Sequence, residues 1–197
     1  MILMLDLLSQ LIDSKVIWIN NSKHVENPDG SQESPFFSFD EASSQVTHDL
    51  KSTNVTVIFV SSDNPYNLQY SLSDDDVSYS LKLTSDIGLN IQNGVNASSL
   101  PSIIMSNASF SLLAKELLFS ISWLYISFTD LYDMYFVIQA RQTLTCTIEN
   151  VWFNFALSVP ATSNPKMMSF KADIVADLQM KNVYFVLNYT QRWAQLL

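Results

Sequence analysis

Cysteine occurs once in the 197 residues, at Cys146, so no internal disulfide can form. Its place at an inward position of an alternating strand pattern fits a small core hydrophobe better than a reactive thiol. Glycine occurs three times, so Asn, Asp and Ser must supply most turns of any strand-rich fold. Charged residues make up 15%, with ten basic against 19 acidic side chains and a net charge of −9. The basic residues are scattered, which opposes nucleic-acid binding, since phosphates need clustered Lys or Arg. The two histidines, His24 and His48, have no sequence partners suggesting a metal site or a nucleophilic triad. No apolar run is long enough to cross a bilayer as a helix. Met1–Ile12 is too short, and the stretch from Leu112 to Phe128 carries Lys115 and Glu116.

What the sequence does contain is recurrence. A five-residue element appears as Leu89–Asn93, Phe119–Trp123, Cys146–Asn150 and Leu178–Asn182, with centres Ile91, Ile121, Ile148 and Met180. Apolar and polar positions alternate within it, the signature of a half-buried strand. A second element runs in step with it: Leu81–Leu83, Phe110–Ala114, Phe136–Ala140 and Met168–Ala172. A third strand comes next as Leu124–Phe128, Val151–Phe155 and Val183–Leu187, displaced to Ile103–Met105 in the first copy. Columns that lengthen and shorten together predict a solenoid with variable loops.

The residue joining the second and third strands is Asn93, Trp123, Asn150 or Asn182. A one-residue corner requires the left-handed region, which Asn tolerates best after glycine. Stacked Asn side chains could also hydrogen-bond along the pile.

These repeats, together with Val16–Ile19, Asp29–Gly30, Ser34–Phe36, Phe39, Ala42, the strand Val55–Val60 and Pro65–Tyr66, resemble the right-handed parallel β-helix of the pectin-lyase-like superfamily. The resemblance covers roughly residues 16 to 190. It implies an all-β solenoid of about four coils whose first coil is capped by an N-terminal strand and short helix. The expected organisation is one domain over 16–197, with an opening segment at 16–70, coils at 79–187 and a tail at 188–197. The tail reads either as a cap carrying Trp193, Leu196 and Leu197 or as the start of another coil. Residues 1–15 read as a signal peptide cut near Ser14 or as an amphipathic N-terminal helix.

Five glycosylation sequons, at Asn20, Asn54, Asn96, Asn107 and Asn188, agree with an extracellular or cell-surface location. The acidic run Asp74–Asp76, comprising Asp74, Asp75 and Asp76, is a solvated loop tip or a weak Ca²⁺ site, though it lacks the spaced ligands of a calcium loop. No other cofactor is indicated. Tyr125, Trp152 and Tyr184 share one outward register of the third strand, and an exposed aromatic column marks an interaction site unless a neighbouring segment covers it.

The expected function is therefore a non-catalytic module for adhesion or for binding a glycan or surface protein, which could belong to a longer solenoid. The alternative is a polysaccharide lyase or glycoside hydrolase. Hydrolysis needs paired carboxylates at the scissile bond, whereas Glu149, with Lys181 one repeat later, reads as a cross-strand ion pair. The sequence does not indicate an oligomeric state.

Overall fold

Alternating apolar residues can be buried on one face of a strand, and a chain with many such short strands buries them by stacking. The computed structural model describes residues 14–87, 99–106, 110–129, 136–157 and 168–189. Within them lie ten strands and one helix: β1 (Ser14–Ile19), α1 (Phe39–Leu50), β2 (Asn54–Phe59), β3 (Tyr66–Asn67), β4 (Tyr70–Ser85), β5 (Ser102–Ser106), β6 (Phe110–Ser122), β7 (Tyr125–Thr129), β8 (Phe136–Leu157), β9 (Met168–Ala172) and β10 (Val175–Tyr189). All pairings between them are parallel. The order is β1-β2-β4-β6-β8-β7-β5-β3, with β9 and β10 on the far side of β8. The sheet is curled, an arrangement compatible with a β-helix-like solenoid.

Curling comes from β8. Residues 136–140 pair with β6 and β9, residues 143–149 with β6 and β10, and residues 152–156 with β7 and β10. One strand therefore turns two corners and draws three stretches of ladder around a common interior.

Register sets the core. Ile17, Val57, Leu83, Ile121, Ile148 and Met180 succeed one another across six strands. All but Met180 are buried. Beside them run Val55, Leu81, Phe119, Cys146 and Leu178. Aromatic rings stack in the same way: Phe110 on Phe136 at 5.2 Å, Phe128 on Phe155 at 4.9 Å and Phe153 on Phe185 at 5.4 Å. Each fully buried ring contributes about 1.5–3 kcal/mol of transfer free energy.

The ladder corrects the first repeat. Leu81 and Leu83, not Leu89 and Ile91, lie beside Phe119 and Ile121, and the stretch beside Phe110 begins at Tyr70. The physical reason lies at the end of β4, where none of Ser85, Asp86 and Ile87 has the left-handed backbone of the later corners. Where the chain leaves the ladder at Ser85 it needs no one-residue corner, so the Asn that marks later repeats is missing there. Leu89, Ile91 and Asn93 lie outside the described residues, as do 1–13 and 190–197. Ile103 and Met105 do pair with Ile126 and Phe128, as their displaced assignment required.

The corners at Trp123, Asn150 and Asn182 have φ of 58°, 56° and 52°. Asn182 Nδ2 donates to Asn150 Oδ1 at 2.9 Å. Trp123 adopts the same conformation without the amide, because the pairing on both sides fixes the path. Left-handed backbone costs a non-glycine residue about 1–2 kcal/mol.

At the N-terminal end, Ser38 caps α1 by accepting from Glu41 N, and Glu41 Oε2 accepts from Phe37 N at 2.9 Å. Phe39, Ala42, Val46 and Leu50 form the buried stripe of the helix. Phe39 stacks on Phe59 and meets Tyr70 edge-on. The loop before the helix turns at Gly30, φ 79°, where a Cβ would lie 2.8 Å from the Phe36 ring. Next to it, the Asp29 carboxylate accepts from Ser31 N at 2.9 Å, and this backbone bond holds its pKa below the usual carboxylate value. Buried Tyr66 donates its hydroxyl to Val60 O at 2.6 Å, tying β3 to the end of β2.

Both the corners and the buried thiol are open to test. Asn150→Ala should lose about 1–3 kcal/mol of stability in denaturant titration, combining strain with the lost Asn182 bond. Asn150→Gly should recover the strain but not the bond. Burial pushes the Cys146 thiol up to about 12, so the folded chain keeps a proton that the unfolded chain releases near pH ~8.5. That contribution is full below pH ~8.5 and is lost as pH rises towards about 12, at up to ~1.4 kcal/mol per pH unit. Burial raises Tyr66 and Tyr70 as well and acts in the same direction at higher pH. Urea midpoints should fall between pH ~8.5 and ~10 in the native sequence and stay nearly level in Cys146→Ala. Native Cys146 should resist thiol reagents at pH ~8 until denaturant is added.

Candidate functional site

The outward surface of β5, β7 and the last third of β8 and β10 is a set of parallel columns. Ser102, Tyr125, Trp152 and Tyr184 occupy one of them in register. Tyr125 and Trp152 are half-buried, while Tyr184 is 48% exposed. The Trp152 and Tyr184 rings stack with centroids 4.6 Å apart and planes inclined by 16°. The ladder imposes this spacing, since neighbouring strands lie about 4.8 Å apart.

Stacking has a chemical consequence. The Trp152 face turned towards β10 is occupied by Tyr184, so a ligand ring cannot lie on it. The Tyr184 face turned away from Trp152 remains open, as its exposure shows. Beyond it the column offers ring edges, the indole N–H and phenol hydroxyls.

The adjoining outward column is Ile104, Ser127, Asn154 and Val186. Asn154 Nδ2 donates to Ser127 Oγ at 3.2 Å. Sequence reasoning singled out the aromatic column and passed over this one, although the same alternation marks it. Together they form an aromatic strip beside an amide and hydroxyl strip.

Asp74, Asp75 and Asp76 lie where the β4–β6 register slips between Asp74 and Ser78. Asp74 Oδ1 accepts from Asp76 N at 3.2 Å. Asp75 forms an ion pair with Arg141. The arginine was not anticipated, yet it directly succeeds Ala140, where β8 makes its own irregularity against β6. Among the described residues, no three His, Cys, Asp or Glu side chains converge as metal ligands.

Glu149 and Lys181 meet at 2.7 Å on the exposed surface. His24 packs edge-on against Phe37 at 5.9 Å, and His48 sits in the last turn of α1. Of the sequon residues, Asn20 and Asn54 are half-buried, and Asn20 Oδ1 accepts from Ser22 N. Asn188 pairs through its backbone with Ala156 in the ladder, and Asn96 and Asn107 lie outside the described residues.

A groove of about 650 Å³ lies under the α1–β2 loop, on the outward side of β4, β6 and β8. Its lining is rich in hydroxyls, including Ser52, Ser78, Ser80, Thr143 and Thr145. Among the described residues Glu116 is the one carboxylate lining it, and it accepts from Ser78 Oγ at 3.2 Å. A single carboxylate does not make the pair that glycoside hydrolysis uses. No helix among the described residues is long and apolar enough to cross a membrane. No protein-family model, no curated protein and no solved structure matches this chain.

Proposed function

We propose that this chain is a right-handed parallel β-helix of about four coils, with the pectin-lyase-like fold, that serves as a non-catalytic binding module at or outside the cell surface. Its ligand is a glycan or a surface protein, held on the outward columns of β7, β8 and β10. The observation that carries this reading is the stacked, solvent-facing Trp152–Tyr184 pair beside the Ser127–Asn154 hydrogen-bonded pair. Aromatic edges and faces supply apolar contact, and the adjacent amide and hydroxyl column supplies directional hydrogen bonds. The outward acid Glu149 is held by Lys181, and Glu116 has no second acid beside it among the described residues of the groove lining, so neither supports the hydrolase alternative.

The test is retention on a panel of immobilised polysaccharides and glycopeptides. Tyr184→Ala and Trp152→Ala should each weaken retention roughly 2- to 13-fold, from an aromatic contribution of about 0.5–1.5 kcal/mol. Far-UV circular dichroism should be unchanged. Tyr184, which holds the open ring face, should matter at least as much as Trp152. Unchanged retention in both variants, or glycan cleavage by the native chain, would sink the proposal.

A further inference from the structure

The two ends of the sheet are finished differently. At the β1 end, the C-terminal half of the edge is already bonded. Trp18 N donates to Gly30 O at 2.8 Å, Phe36 N to Trp18 O at 3.0 Å and Asn20 N to Phe36 O at 2.8 Å. Helix α1 closes the apolar interior behind it. At the other end, β10 pairs in the ladder with β8 alone among the described strands.

Side chains show the same contrast. Leu178, Met180 and Phe185 continue the columns of Cys146, Ile148 and Phe153, which are fully buried. On β10 they are 41%, 46% and 53% exposed. Ile174, Val175 and Val186 are exposed along the same rim. An unpaired ladder flanked by apolar side chains is a template for another strand.

We infer that β10 is the interface at which a second copy of this chain docks, end to end about a two-fold axis. Head-to-tail stacking is disfavoured because the incoming copy's β1 edge is already hydrogen-bonded at Trp18 and Asn20 and α1 closes the interior behind it. The end that remains is the second copy's own β10, and a two-fold axis makes the two strands antiparallel. Residues directly opposite in an antiparallel pair share a face. With Gln179 on the axis, Leu178 faces Met180 and the apolar positions stay inside. The same register sets Asp177 of each copy opposite Lys181 of the other, twice, so the strand is complementary in charge to itself. Lys181 already holds Glu149 at 2.7 Å, and Asp177 would complete an acid–base–acid row across the junction.

The experiment is the solution mass of the full chain by sedimentation and light scattering over a concentration series, with circular dichroism as the control for folding. The native chain should weigh twice 22.3 kDa. Asp177→Lys and Lys181→Asp should each shift it to one chain by placing like charges opposite each other. The double exchange Asp177→Lys with Lys181→Asp should restore the two-chain mass. A native chain that stays monomeric at all concentrations overturns the inference and assigns the open end to another occupant. A dimer that survives either single reversal overturns it too, because the contact then lies elsewhere. Glycan retention of the monomeric variants reads the aromatic column separately, so failure of one reading is distinguishable from failure of the other.

Discussion

The constraint on which everything else depends is in-register parallel stacking. Each strand places its inward side chains about 4.8 Å from those of its neighbours, so an interior column is uniform in chemistry from one strand to the next. Ile17, Val57, Leu83, Ile121 and Ile148 satisfy this with aliphatic residues, and Phe110 with Phe136 satisfies it with rings. A polar residue in such a column would lose its water on both sides at once. Cys146 is tolerated there because its thiol stays protonated, which the same burial enforces.

Corners are the second requirement, and the chain solves them with two devices. Between the second and third stretches it uses one left-handed residue, Trp123, Asn150 or Asn182. Between the first and second it uses ladder irregularities, at Asp74/Ser78 and Ala114/Glu116. A bulged corner turns its extra residues outward, where polar groups remain solvated. That accounts for the acidic run at this place, and for Arg141 reaching Asp75 from the corresponding bend of β8. A chain with three glycines can turn repeatedly in this way without needing more.

Strand identity, parallel stacking and the outward aromatic column were legible because they rest on period-two alternation and fixed spacing. Leu178 and Met180 show where that reading reaches its limit. Alternation assigns a residue to a face, while burial requires a further strand packed beyond it, and the pattern within a strand is blind to its spatial neighbours. The slip of the first repeat has a similar origin. Leu89–Asn93 matches the motif of the later repeats, yet the ladder uses Leu81 and Leu83, whose stretch lacks the terminal Asn because no tight corner succeeds it. The Asp75–Arg141 pair was hidden because it joins residues 66 positions apart at a bend that alternation does not mark.

Tyr184 stands where the two proposed surfaces meet. Its ring closes the aromatic column on one face and lies on the rim of the open β10 end with the other. Whatever covers that end also lies close to the free ring face, so ligand binding and end-to-end docking draw on shared exposed area. By linkage, any energetic coupling between them is reciprocal. A substitution at Tyr184 alone therefore reports on both surfaces together. Tyr125 and Asp177 separate them: Tyr125 belongs to the column two strands back from the open edge, and Asp177 belongs to the edge but lies on a different stretch of the ladder.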